Sequence, residues 1–287
     1  MTDSPVVCFL VINRMPVLPA LAIQSVLKNS DAMICIGYTD IDDLADLPTD
    51  DRISLIQLDR ESIASEVVST HYADFEKNTF YQIVQLKWNL LEKCLNSFSG
   101  RTIIYNDIDV IWMKDATIPV TQSFEKDSKV HILIQDYTSN PAKPELCMGF
   151  VGIRNSQESL KIIHLCKNQH KELLMSNPKI GDDNVISLIY STSNSKESFQ
   201  LLPQSTFPVG NMINNFRPFS IFPGLSAFKP YIFHANFVIG IQRKIVLTYL
   251  ALKLISPDWY RVSIISKVII YKHTFPRWLK YNIIGLK

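Results

Sequence analysis

The stretch RTIIYNDIDVIWM, residues 101–113, places two carboxylates inside a run that otherwise has the composition of a buried strand. Apolar residues precede and follow Asp107 and Asp109, so both acids are expected at the edge of a buried sheet. A carboxylate in that position needs a partner, and a divalent cation is a natural one. Two carboxylates at i and i+2 at an irregular strand end can converge on a single ion. The stretch therefore indicates a metal site, and the alternative is a strand end whose acids simply face solvent.

Strand-like and helix-like segments alternate on both sides of this stretch. Continuous runs of β-branched and aromatic residues are typical of strands covered on both faces. Such alternation predicts an α/β fold with a mostly parallel, Rossmann-like mixed sheet flanked by helices, and ligands bind such sheets at the carboxyl ends of the strands. The predicted strands are 6–12, 32–38, 53–59, 102–113, 129–137 and 148–154, and the predicted helices are 19–30, 80–98, 156–175 and 182–192.

Composition indicates a globular protein rather than a disordered one. The chain has 287 residues, 47% of them hydrophobic and 20% charged, which is enough to bury a substantial core. Its five cysteines are scattered and contain no CxxC pair, so we expect reduced thiols in a reducing compartment. The apolar run near the N-terminus, 6–12, is too short for a signal peptide or a membrane span. A cytoplasmic protein is expected.

Charge divides the chain into a body and a basic tail. Residues 243–287 contain nine Lys or Arg and the single acid Asp258, so they carry +8 while the rest of the chain carries −6. We expect a catalytic domain over 1–242 and a basic, aromatic and helical tail over 243–287. The tail either packs on the body or lies on an anionic membrane surface, and its aromatic and basic content favours the membrane. No nucleic-acid motif accompanies the charge, so no nucleic-acid partner is expected.

A proline-rich segment separates the regular elements from this tail. From about 203 to 230 the chain carries five prolines and two glycines among aromatic residues. This composition predicts a long loop or lid rather than a helix or a strand.

The segment TIIYNDIDVIWM resembles the D-x-D segment of A-type-fold glycosyltransferases, and in particular that of the nucleotide-diphospho-sugar transferase family. Further segments resemble those of the family in the same order along the chain, over roughly residues 80–245. Each segment alone is a weak signal, whereas several in register are a stronger one. The matching segments are QLKWNLLEKCL, HILIQD, LCMGFVGIRNS, GDDNVI and FHANFVIGIQRK.

The resemblance implies a metal-dependent enzyme that uses a nucleotide-sugar, with a UDP-sugar as the expected donor. Asp107, Asp109 and His234 would hold Mn²⁺, or Mg²⁺ as the alternative, because mixed oxygen and imidazole ligands suit these ions. The ion would stabilise negative charge on the departing diphosphate. The residues that the resemblance assigns to donor binding are Lys87, Asp107, Asp136, Gly149, Asn236, Gly240 and Lys244.

The resemblance also places Asp183, with Asp182 and Asn184 beside it, next to the reacting carbon of the sugar. Asn184 stands where the family usually has glutamine. An aspartate there could act as the base of an inverting transfer, or as nucleophile or electrostatic support in a retaining one. The resemblance favours retention. The expected acceptor is a cell-surface glycan or a lipid-linked precursor of one.

Two other interpretations of the same residues stay open at this point. In a phosphohydrolase of the haloacid-dehalogenase type, Asp107 would be the nucleophile and Asp109 the acid or base, with Lys179 supplied ahead of the GDDN segment. Ile111 argues against this, since that family has Thr or Val at the corresponding position. The other interpretation is a protein that binds a nucleotide-sugar without turning it over.

Overall fold

A computed structural model of the chain describes residues 4–13, 15, 17–59, 78–138, 144–192, 196–209, 230–236, 241, 244, 245 and 248. Its strands are β1 (Val6–Leu10), β2 (Met33–Tyr38), β3 (Ile53–Gln57), β4 (Ile103–Asn106), β5 (Val110–Trp112), β6 (Ile132–Asp136), β7 (Leu146–Ile153), β8 (Phe199–Leu201) and β9 (Ile232–His234). Its α-helices are α1 (Leu18–Asn29), α2 (Asn78–Ser97), α3 (Thr117–Lys126), α4 (Gln157–Ser176) and α5 (Asp182–Thr192). Short 3₁₀ helices cover Ile41–Leu44 and Lys196–Ser198.

The main sheet has seven strands in the order β3-β2-β1-β4-β7-β6-β8. Among the described strands of this sheet only β7 runs antiparallel to its neighbours, which are β4 and β6. The predicted α/β fold with a mixed, mostly parallel sheet is confirmed. Strands β5 and β9 form a separate two-stranded antiparallel sheet.

The prediction of one continuous strand over 102–113 is wrong, because the chain changes sheets at the two aspartates. Strand β4 belongs to the main sheet and β5 to the small one. The turn between them is closed by a hydrogen bond from the Val110 amide to the Asp107 carbonyl at 3.0 Å. The fully buried Asn106 side chain accepts from Trp112 Nε1 at 2.8 Å and donates to the carbonyls of Val110 and Asp107. Asn106 thus pairs polar groups that the change of sheet would otherwise leave unsatisfied.

Alternate residues of β1 pack into two separate cores, one on each face of the main sheet. Val7 and Phe9 lie in the core beneath α1 and α3, whereas Val6, Cys8 and Leu10 lie in the core beneath α2, α4 and α5. Successive side chains of a strand point to opposite faces, so a strand buried on both faces is apolar throughout. The burial of every residue of β1 confirms that interpretation of the N-terminal run.

Helix α3 and strand β8 were not predicted from the sequence. The α3 segment contains Pro119 near its start, a position that proline tolerates, and Asp115 Oδ1 accepts a hydrogen bond from the Thr117 amide at 2.9 Å ahead of the helix. Strand β8 has only three residues, too few for a periodic pattern.

Most of the predicted tail and lid lies outside the described residues. Of the segment 203–230, the structure describes 203–209 and 230, and of 243–287 it describes only Lys244, Ile245 and Thr248. The predicted domain boundary at 242/243 and the predicted helical tail therefore stay predictions. Within the part of the chain that is described, no helix has the length and apolar character needed to cross a membrane.

Candidate active site

A cavity of about 520 Å³ opens where β1 and β4 end and where α5 begins. Residues that are widely separated in sequence line this cavity. In open α/β sheets, the crevice at the carboxyl ends of the strands is the usual place for a ligand. Gly240 lies outside the described residues, and Asp136 does not line this cavity. The predicted site residues that do line it are Lys87, Asp107, Asp109, Gly149, Asp182, Asp183, Asn184, His234, Asn236 and Lys244.

The predicted metal ligands come together at one end of this cavity. One ligand atom each from Asp107, Asp109 and His234 lies within 4.8 Å of the others, and His234 Nε2 is 3.5 Å from Asp109 Oδ1. Backbone pairing brings them together, because β9 sets His234 opposite Val110, directly after Asp109. Two carboxylates and one imidazole form a donor set that fits Mn²⁺ or Mg²⁺.

The orientation of His234 is set by Gln135, a residue that the sequence did not single out. The Gln135 amide nitrogen donates to the carbonyls of Phe207 and Pro208, at 3.2 and 3.0 Å. Its oxygen therefore faces His234 Nδ1, 3.1 Å away, and accepts that proton. The lone pair of Nε2 is then directed toward Asp109, as a metal-binding imidazole requires. A polar residue next to the end of the predicted strand 129–137 was the only sequence signal for it.

Gly149 is required by the close packing of His234. A Cβ added at Gly149 would lie 2.1 Å from His234 Cε1, so any side chain there would occupy the place of the ring. The Gly149 carbonyl also accepts a hydrogen bond from the Asp107 amide at 2.8 Å. Glycine thus lets β7 approach His234 closely, while the backbone carbonyl at the same position holds Asp107.

Replacing Gly149 with alanine is expected to displace His234 and to abolish metal-dependent nucleotide binding. Overpacking should also lower the free energy of unfolding by about 1–3 kcal/mol. Gly152→Ala is the matched control: it lies on the same strand, and its Cβ would come 2.8 Å from Val120 Cγ1, away from the cavity. Calorimetry and thermal unfolding of both variants test this. Equal nucleotide binding by the Gly149 variant and the wild type would contradict the assigned role.

Lys87 is a buried cation between two of the acids. Its side chain is 7% exposed, and its Nζ lies 3.0 Å from Asp107 Oδ1 and 2.6 Å from Asp182 Oδ2. The second contact is an ion pair whose angles are not those of a hydrogen bond. Burial by itself lowers the pKa of Lys87, but the charges of Asp107 and Asp182 raise it well above the usual value. Lys87 therefore stays charged, and Asp182 forms an ion pair with this lysine.

Asp109 is paired with a second lysine. Lys244 Nζ donates to Asp109 Oδ2, while the other carboxylate oxygen faces His234. Burial raises the pKa of Asp109, but the charge of Lys244 is the largest opposing influence, and the pKa lies below its usual range. Each aspartate of the D-x-D segment thus has its own ammonium group, Lys87 for Asp107 and Lys244 for Asp109.

Asp183 is held rigidly at the start of α5. Its Oδ1 accepts from the Met148 amide at 2.6 Å, and its Oδ2 accepts from the Tyr137 hydroxyl. Burial, followed by the negative charge of Asp182, raises the pKa of Asp183 to about 7. A carboxyl group that titrates near neutral pH in a cleft is a candidate for proton transfer or nucleophilic chemistry. Tyr137 was not predicted as a site residue.

Asn184 and Asp136 both make hydrogen bonds that stabilise local structure. Asn184 Oδ1 accepts from the Gly181 amide at 3.1 Å, a bond to the backbone just before α5. Asp136 Oδ1 accepts from the amides of Thr138 and Glu145, at 3.0 and 2.9 Å, and so holds the ends of the loop between β6 and β7. The predicted contact of Asp136 with donor-sugar hydroxyls stays a prediction.

Comparison with known protein families identifies the class of enzyme. The model of the nucleotide-diphospho-sugar transferase family matches residues 47–247, more than half of the chain. The chain belongs to this family and is a glycosyltransferase. A search of curated proteins finds no match.

Solved structures with a similar fold are also glycosyltransferases. The galactosyltransferase LgtC, solved with donor and acceptor sugar analogues, is 11% identical over 89% of this chain and 99% of its own, with a TM-score of 0.52. Mouse xyloside xylosyltransferase 1 is 10% identical over 82% of this chain and 98% of its own, with a TM-score of 0.50. A glycosyltransferase involved in the glycosylation of the major capsid of PBCV-1 is 8% identical over 86% of this chain and 100% of its own, with a TM-score of 0.51. At these identities the likeness establishes the A-type fold alone.

The phosphohydrolase interpretation is not supported. It needs Lys179 beside Asp107, yet Lys179 is exposed and does not line the cavity. The family match identifies a sugar transferase instead.

Proposed function

We propose that this enzyme transfers a sugar from a UDP-sugar, with Mn²⁺ or alternatively Mg²⁺ bound, to a cell-surface glycan or a glycolipid precursor, with retention at the anomeric carbon. The observation that supports the proposal is one cavity that combines three potential metal ligands, two lysines and a carboxyl group with a pKa of about 7. The imidazole of His234 favours Mn²⁺ over Mg²⁺, which prefers oxygen ligands.

The cationic end of the cavity is suited to a diphosphate. A divalent ion held by Asp107, Asp109 and His234 would stabilise the negative charge that develops on the leaving diphosphate. The ammonium group of Lys244 contacts the carboxylate of Asp109. When the donor binds, this ammonium group can move to contact a phosphate oxygen instead. Lys87 remains between Asp107 and Asp182, where its charge fixes both carboxylates in place.

Asp183 supplies the reactive carboxyl group of the proposal. As the bond from the anomeric carbon to the diphosphate oxygen breaks, positive charge develops on the sugar ring. In a retaining transfer Asp183 would stabilise that charge, either as a covalent nucleophile or as an electrostatic support. The anomeric configuration of the product, read by NMR, tests retention. An inverted product would make Asp183 the general base instead.

Calorimetric titration of UDP, once with Mn²⁺ and once with EDTA, is the experiment that tests the donor class. Binding that requires Mn²⁺ supports the proposal and justifies a screen of UDP-sugars for release of UDP. If UDP does not bind, GDP, CMP and TDP are titrated next, and binding of one of these would correct the nucleotide. A failure of all four nucleotides would contradict the proposed donor site.

Replacing Lys244 with methionine is expected to change two affinities in opposite directions. Without the ammonium group, Asp109 is more available, so Mn²⁺ alone should bind more tightly than it does to the wild type. UDP in the presence of Mn²⁺ should bind about tenfold more weakly, because a charge-assisted contact to phosphate is lost. Electron paramagnetic resonance of free Mn²⁺ and calorimetry with UDP measure the two effects. A decrease in both affinities would mean that Lys244 only supports the fold.

We also propose that the enzyme works at the cytoplasmic face of a membrane, attached through residues 243–287. The net charge of +8 and the aromatic content of that segment support this proposal. Co-sedimentation with vesicles tests it: binding to vesicles with an anionic lipid, weakened by high salt, is expected. Equal behaviour with neutral vesicles, or no binding at all, would contradict it.

A further inference from the structure

Three buried thiols form a second cluster of potential ligands, beneath α2 and away from the active-site cavity. Cys8 on β1 and Cys35 on β2 are register partners in adjacent parallel strands, and Cys94 on α2 packs over them. Cys8 Sγ lies 3.2 Å from Cys94 Sγ, which lies 3.5 Å from Cys35 Sγ. All three sulfur atoms are within 4.8 Å of one another, and none of the three residues is exposed.

The sulfur triangle is close to the size that trigonal metal–thiolate coordination requires. Metal–sulfur bonds of about 2.3 Å place three coplanar sulfurs about 4.0 Å apart. The observed separations of 3.2 and 3.5 Å are slightly shorter, so the sulfurs would move apart by less than about 1 Å. A disulfide would need an S–S separation near 2.05 Å, and all five cysteines of the chain are free.

The surroundings favour a soft ion that accepts three sulfur ligands. Zinc in structural sites almost always takes four ligands. Among the described residues, no fourth Asp, Glu, His or Cys joins the three thiols. The three cysteines belong to the same buried core as Leu58, Leu90 and Leu91, and the Ser54 hydroxyl is a polar neighbour of Cys35. Thiolate ligands suit soft ions such as Cu(I), and a low charge is the least costly to hold in an apolar core.

We propose that Cys8, Cys35 and Cys94 form a buried trigonal site for Cu(I), separate from the sugar-transfer site. Copper enters and stays as Cu(I), so no electron is transferred. Each sulfur that binds as a thiolate releases its proton to solvent, and the affinity for Cu(I) therefore rises with pH.

The test is an anaerobic titration of reduced, EDTA-treated protein with Cu(I), in competition with a coloured Cu(I) chelator. One Cu(I) per chain is expected, with an ultraviolet thiolate-to-copper absorption band. Cys8→Ala and Cys94→Ala should each weaken binding at least about tenfold, because a ligand is lost. The matched control is Cys166→Ala, a buried cysteine outside the cluster, which should bind Cu(I) as the wild type does.

Several results would overturn this site. The site is ruled out if the wild type binds no more Cu(I) than a variant that lacks all three thiols. It is also ruled out if Cys8→Ala and Cys94→Ala bind Cu(I) with unchanged affinity. An intact mass short by two hydrogens, with Cys8 and Cys94 in one cross-linked peptide, would show a redox pair instead of a metal site. X-ray absorption of the copper-loaded wild type requires no variant to fold: three sulfur neighbours are expected, and nitrogen or oxygen neighbours would contradict the proposal.

Discussion

Replacing Asp109 with alanine is expected to abolish the Mn²⁺-dependent part of UDP binding. The variant loses one of the three candidate metal ligands and leaves His234 and Lys244 without the carboxylate that both contact. Changes that leave the ligands themselves in place already cost 10–100-fold in metal affinity, so removal of a ligand should cost at least about 100-fold. Calorimetric titration of UDP in Mn²⁺ and in EDTA measures the loss directly.

Two comparisons make this result interpretable. In EDTA the metal contribution is absent from both proteins, so the loss of UDP affinity caused by the Asp109 change should disappear. Asp109→Asn keeps the shape of the side chain and removes its charge, so it should lose Mn²⁺ as well if charge is what the site uses. Full Mn²⁺-dependent UDP binding by the alanine variant would show that the ion, if it binds, does so elsewhere.

Replacing Asp183 with asparagine is expected to lower kcat by about 10²–10⁴-fold, the range for loss of a positioned acid–base or nucleophilic group. Affinity for UDP should change little, because Asp183 is not one of the metal ligands. The new amide oxygen can still accept from the Met148 amide, so the local structure is retained. Initial rates with the donor found by screening, together with UDP calorimetry, separate the two effects. A variant that loses both turnover and UDP binding would indicate a damaged cavity.

The pH dependence of stability provides a second test of the raised pKa of Asp183. Its pKa in the folded protein is about 7, above the value of about 3.9 for an unfolded aspartate. The stabilising contribution of this group to the free energy of unfolding is therefore fully present below about pH 4 and is lost as the pH rises toward 7. In EDTA at pH 8, Asp183→Asn should melt higher than the wild type by about 2–4 °C per kcal/mol regained. At pH 4 the two should melt together, and a gap that grows toward low pH would contradict the assignment.

The sequence allowed the fold and the grouping of three candidate metal ligands to be predicted because both depend on local patterns. Apolar runs mark the strands, and Asp107, Asp109 and His234 lie in segments that resemble a known family in the correct order. The comparison with that family confirms the class of enzyme. The position of the fold's ligand edge then follows from general rules for α/β sheets.

What could not be predicted depends on contacts between distant segments. Gln135 orients His234 across 99 positions of sequence, and Tyr137 reaches Asp183 across 46. Neither residue belongs to a recognisable pattern. The break of the strand at Asn106 depends on a buried hydrogen bond from Trp112, which hydrophobic periodicity does not encode.

The small sheet of β5 and β9 would make metal binding at the proposed site a check on the integrity of the chain. Side chains alternate along a strand, so a slip of one residue in this pairing would turn His234 away from Asp109. All seven strands of the main sheet precede β9 in the sequence, so that sheet can form before the three residues of β9 pair with β5. A chain that stops short of His234 would retain that sheet and still lack one of the three ligands. Tight binding of the ion would thus separate complete molecules from truncated or misregistered ones.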